Sequence, residues 1–168
     1  QYVKANYVQF NYSFDLNPRA VITAKNVRGL KKLLYRSNTS SGLQISKKDI
    51  STGKFQFNPF TRKLVDTTLI ALNSVLTNTY FFNRSNVKWG FDVTHSINNS
   101  KALLSYGFES RRLRNLTGKL RWNISRSLVT TLSYRQIKNV LNTKGPKFDN
   151  RNYLVLQNIL EPTITYVH

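Results

Sequence analysis

A chain of 168 residues is long enough to bury a core of its own, yet it holds no cysteine, which excludes disulfides, thiolate metal sites and thiol catalysis. Its longest apolar runs, such as Leu69–Leu72 and Leu154–Leu156, are strand-sized and far below the roughly 20 residues of a membrane helix. Such a chain crosses a membrane only as a closed barrel, because an open sheet edge in lipid leaves backbone groups unpaired. The net charge of +19 points to an anionic partner, nucleic acid or lipid phosphate, and carries no information about fold. The chain opens on Gln1, contains no Met and stops at His168 inside a strand-like pattern, as expected of a fragment of a longer polypeptide. A fragment need not balance its own charges.

The first element is plain. Val8, Phe10, Tyr12, Phe14 and Leu16 alternate with Gln9, Asn11, Ser13, Asp15 and Asn17. Strict alternation predicts a half-buried strand, ended by the turn signal Asn17-Pro18. Residues 19–66 read as an irregular insertion or plug-like excursion. Within it, Leu30, Leu33 and Leu34 among Arg28, Lys31, Lys32 and Arg36 predict a short basic amphipathic helix near 27–36, which Gly29 weakens by about 1 kcal/mol. Ser51-Thr52-Gly53 reads as a turn, and Phe55, Phe57 and Phe60 around Asn58-Pro59 as an aromatic-rich loop.

From about residue 68 the strand pattern is continuous. Leu72, Leu76, Tyr80 and Phe82 share one face, and so do Trp89, Phe91, Val93 and Ile97. Asn98-Asn99-Ser100-Lys101 predicts a tight hairpin, since Asn tolerates positive φ. A turn at Asn99-Ser100 sets Phe91 against Phe108 and Val93 against Tyr106. A second turn near Arg114 sets Tyr106 against Trp122, Phe108 against Leu120, and Glu109 against Lys119. Strands at Leu116–Ile124 and from Leu128 through Tyr134 follow, joined near Arg126-Ser127. A polar loop over 139–150 holds Gly145-Pro146. The last strand covers 152–168, with Pro162 at a bulge or edge position.

The expected fold is therefore all-β, an antiparallel up-and-down meander. A soluble sandwich and a membrane β-barrel both alternate in this way. Segments of about 9 to 11 residues favour the barrel, as does an expected alternation of short turns with longer loops. On that reading Asp92, Glu109, Lys119, Arg121 and Arg135 face the lumen. Trp89, Phe91, Tyr106, Phe108, Leu120, Trp122 and Tyr134 face lipid, the aromatics as interfacial girdles. Arg111, Arg112 and Arg114 cluster at a strand end, where they are candidates to contact lipid phosphate. Solvated surface charge is the blander account of the same residues.

Several segments resemble large outer-membrane β-barrel proteins of the Bacteroidetes. They are Tyr80-Phe81-Phe82-Asn83-Arg84-Ser85-Asn86-Val87-Lys88-Trp89-Gly90-Phe91-Asp92 and Leu104-Ser105-Tyr106-Gly107-Phe108-Glu109-Ser110-Arg111, with Arg151-Asn152-Tyr153, Leu160–Tyr166 and Asn11–Arg19. The resemblance implies a barrel longer than this chain, in a bacterial outer membrane, with outer-membrane lipid or lipopolysaccharide and other subunits of a membrane assembly as partners. It implies a structural or transport-type role and assigns no chemistry.

The residues themselves offer none either. His95 and His168 stand in strand positions without a second ligand at metal-site spacing. The seven acids are scattered without a close pair for acid–base work, and nucleophile-elbow and phosphate-loop motifs are missing. No enzyme activity and no cofactor are expected. The alternative is a soluble basic β-domain that binds nucleic acid on a stacking platform. Aromatic and basic residues are expected on opposite faces, which argues against it.

Overall fold

The computed structural model describes residues 5–21, 28–50, 69–105, 107–144 and 149–166. Seven strands run in chain order: β1 (Ala5–Leu16), β2 (Ser37–Ile50), β3 (Leu69–Phe82), β4 (Trp89–Leu104), β5 (Gly107–Asn123), β6 (Leu128–Lys144) and β7 (Tyr153–Tyr166). They form one antiparallel meander in which each strand pairs only with its sequence neighbours. The sheet is open: β1 and β7 are its edges. A one-turn-and-a-half helix α1 (Leu30–Tyr35) stands where the Leu and Lys spacing predicts it, and a 3-10 turn over Pro18–Ala20 ends β1 with Asn17 Oδ1 accepting from Arg19 N.

Among the described residues the sheet has no second layer. Domains normally bury a sheet face against another element. Here Leu69 and Phe82 are the buried apolar side chains among the described residues, while Leu132, Leu156, Leu160 and Trp122 are exposed. What holds the strands together is the backbone ladder and the cross-strand side-chain pairs on each face.

Strands of 12 to 17 residues replace the shorter segments read from the sequence. The hairpin expected at Asn98–Lys101 does not form; β4 runs through it to Leu104, and the antiparallel β5 begins at Gly107. Asn99 and Ser100 are laddered on both sides instead. Asn99 Nδ2 donates to Ser74 Oγ at 3.4 Å, and its Oδ1 accepts from Arg112 Nε at 2.7 Å. Cross-strand bonds thus replace the local bonds that make Asn a turn former. The turn near Arg114 is likewise absent, since β5 is unbroken. Phe91 pairs with Leu120, Lys119 with Asp92, and Glu109 with Ala102 and Thr143.

Residues 19–66 are not all irregular: Ser37–Ile50 is a full strand with partners on both sides. Its Ser- and Thr-rich sequence hid it. The Ser51–Gly53 turn and the Phe55–Phe60 loop lie outside the described residues. The polar loop expected over 139–150 is shorter, because β6 extends to Lys144. Connections do not simply alternate in length. One end of the sheet holds the β1–β2, β3–β4 and β5–β6 connections; the other holds the β2–β3, β4–β5 and β6–β7 connections.

Candidate functional site

Directly opposed residues share a face, so the register sorts every strand position onto one of two surfaces. Trp89, Phe91, Leu120, Trp122 and Tyr134 fall on one surface, with Phe108 near the opposite end of β5. Val8 through Leu16 on β1 and Leu154 through Ile164 on β7 continue it at every second position, Asn158 and Pro162 apart. Tyr106, expected among them, lies outside the described residues. Asp92, Glu109, Lys119, Arg121 and Arg135 all fall on the other surface. The acids of β3 to β7, namely Asp92, Glu109 and Glu161, all stand on that polar surface and none on the apolar one.

Arg111, Arg112 and Arg114 are not at a strand end. They sit within β5, five to eight residues into a strand of 17, because the reversal lies upstream of Gly107. Alternation then splits them. Arg111 is on the polar surface, whereas Arg112 and Arg114 are on the surface that carries the tryptophans. The expected segregation of basic from aromatic residues is therefore incomplete. Arg114 stands directly opposite Lys138, and Arg112 opposite Val140. All three cations are exposed. Like charges in directly opposed positions destabilise a sheet, and no acid on this surface of β3 to β7 offsets them.

From β1 to β6 the apolar zone crosses the strands obliquely. One row perpendicular to the strands reads Tyr12, Leu43, Leu76, Ile97, Arg114, Lys138, Leu156. It starts in the middle of the apolar stretch of β1, has left the apolar residues by β5 and β6, and meets them again at Leu156 on β7. On those strands the apolar residues, Leu116, Leu120 and Trp122 with Leu128, Leu132 and Tyr134, lie nearer the end that carries 83–88 and 124–127. The next row of that surface reads Asn78, His95, Leu116, Gln136, Asn158, polar except at Leu116, and in it Gln136 Nε2 donates to Asn158 Oδ1 at 3.1 Å. Within the apolar zone, Gly118 leaves a gap between Val93 and Tyr134. The gap is the floor of a groove of about 210 Å³ walled by Phe91, Val93, Leu120, Leu132 and Tyr134.

The same end of the sheet is tied down by two arginines. Arg19 donates from Nε to Tyr35 O at 3.0 Å and from Nη1 to Ser85 Oγ at 2.7 Å, and lies over the Tyr35 ring. Arg121, expected to face the lumen, donates from Nη2 to Asn86 O at 2.7 Å and so fastens the 83–88 loop. Beside these, α1 exposes Leu30, Leu33 and Leu34 next to Lys31 and Lys32. Groups of three or more His, Asp or Glu that could hold a metal are absent among the described residues. His95 stands between Asn78 and Leu116, and His168 lies outside them. Compared with family models, curated proteins and solved structures, the chain matches none.

Proposed function

We propose that this sheet is part of the wall of an outer-membrane-type β-barrel. Its apolar surface meets lipid, and its polar surface, with Asp92, Glu109, Lys119 and Arg135, lines the interior. The role is structural or transport-type, within a larger membrane assembly and without catalysis. The observation that carries this reading is the apolar zone that runs obliquely over β1 to β6 of a sheet with no second layer among the described residues. Barrel strands tilt by about 35–45° from the barrel axis, so a band level with the membrane must cut across the register. A sandwich core has no such obligation. Strands of 14 to 17 residues rise about 3.3 Å per residue and so outreach an apolar band about 25 Å tall even when tilted, which puts their polar portions beyond the lipid. Closure requires further strands bonded to β1 and β7, as small bacterial barrels already have eight.

The test is extraction and heat modifiability. The protein is expected to stay with membranes through high salt and alkali, to need detergent, and to migrate faster in dodecyl sulfate gels unheated than boiled. Release by salt alone, with identical migration, sinks the reading. One observation favours the nucleic-acid alternative: Arg112, Arg114 and Lys138 share a surface with Trp122 and Tyr134, as a stacking platform with phosphate contacts would require. Salt-sensitive capture of single-stranded nucleic acid by detergent-free protein would select that alternative.

A further inference from the structure

We propose that Arg112, Arg114 and Lys138, with the groove over Gly118 beside them, form a binding site for one anionic phospholipid-type amphiphile. The phosphate sits on the three cations and an acyl chain lies in the groove. This rests on the reading of the apolar surface as lipid-facing. Three features meet here. Two cations oppose each other, with no acid on that surface of β3 to β7, so an external anion relieves a repulsion built into the sheet. Arg112 is pre-positioned, since Asn99 Oδ1 accepts from its Nε at 2.7 Å and leaves the outer nitrogens of the fork free to meet phosphate oxygens. The groove begins where the cations end: Arg114 and Gly118 share a surface of β5, roughly 13 Å apart at about 3.3 Å per residue. A head group on Arg114 and Lys138 therefore places its chain over Leu116 and into the gap that Gly118 leaves. The zone above is apolar, and the zone below mixes Lys101, Ser110 and Asn142 with Val140 and Phe108.

The protein supplies its own control. Arg111 has the same charge one residue away, on the opposite surface. The experiment uses the full protein folded into phosphatidylcholine vesicles doped with phosphatidic acid, with bromine on the acyl chains of one lipid at a time. Quenching of Trp89 and Trp122 reports which lipid gathers at their surface. Stronger quenching by brominated phosphatidic acid than by brominated phosphatidylcholine is expected. That preference should fall by roughly fivefold for each charge removed in Arg112→Gln, Arg114→Gln and Lys138→Gln, and stay unchanged in Arg111→Gln. Gly118→Leu, whose Cβ meets nothing within 4 Å, fills the groove without altering charge and should also weaken the preference. Excess inorganic phosphate should not displace the lipid. An unchanged preference in the triple variant, an equal loss in Arg111→Gln, or displacement by free phosphate overturns the proposal while leaving the lipid-facing surface intact. Absence of quenching by either lipid removes that surface reading and this site with it.

Discussion

Asn83 is the residue with positive φ outside glycine, at +58°, among those described, and it is buried. It turns the chain between β3 and β4, where its N–H donates to Arg36 O and its carbonyl accepts from Asn86 N, each at 2.8 Å. Asn tolerates this region and β-branched residues do not. Its Nδ2 is buried without a partner. Asn83→Gly should therefore be neutral within about 0.5 kcal/mol, whereas Asn83→Val should cost about 1–2 kcal/mol, read by denaturant unfolding of the folded protein. Gly90 is the matching tight point. A Cβ there would lie 3.0 Å from Asn83 O and 3.1 Å from Phe82 O, both backbone atoms that cannot swing aside. Gly90→Ala should destabilise by about 1–3 kcal/mol, and no loss in the same unfolding measurement would refute the close approach. Neither position was legible in the sequence, where Asn83-Arg84-Ser85 is only one polar stretch among many. Gly118 was equally silent, because the gap it leaves exists only once Val93 and Tyr134 flank it.

At the scale of elements, the sequence placed residues on the right surfaces while misplacing two reversals. Moving the reversal from Asn99-Ser100 to between Leu104 and Gly107 changes each residue's partner by an even number of positions, and period-two alternation survives such a shift intact. That is why Asp92, Glu109, Lys119, Arg121 and Arg135 still share one surface although none of the expected partners across the hairpin was right. Turn chemistry failed because Asn and Ser are equally at home on a polar sheet surface with cross-strand partners. The same cause concealed β2, whose Ser41 Oγ hydrogen-bonds Asn78 Oδ1 at 2.6 Å. The observed register can be tested directly, since the chain has no cysteine of its own. Thr94 stands opposite Thr117, and opposed Cβ atoms lie about 4.5–5.5 Å apart. Thr94→Cys with Thr117→Cys should cross-link on mild oxidation or with a short bis-thiol reagent. Thr94→Cys with Ser105→Cys, the pair that the earlier turn would bring together, should not.

Over the whole molecule, charge is distributed by end as well as by surface. The connections at the end nearest the tryptophans carry Arg19, Arg28, Lys31, Lys32, Arg36, Arg84, Lys88 and Arg126, with no acid among the described residues there. A basic rim beside an aromatic zone suits a phosphate-bearing interface. Association of the unfolded or partly inserted protein with anionic vesicles should therefore weaken steeply as salt rises and the Debye length shortens from about 10 Å at 0.1 M, while the inserted protein should be indifferent to salt. Equal salt sensitivity before and after insertion would contradict a buried apolar surface.

Single cysteines along one row measure the obliquity of the apolar zone from β1 to β6. In membranes, a water-soluble maleimide should fail to reach Tyr12→Cys, Leu43→Cys and Leu76→Cys but should label Arg114→Cys and Lys138→Cys, although all five positions share one surface and one row. Uniform labelling along the row, or protection at Arg114 and Lys138 equal to that at Tyr12, would contradict a tilted barrel wall.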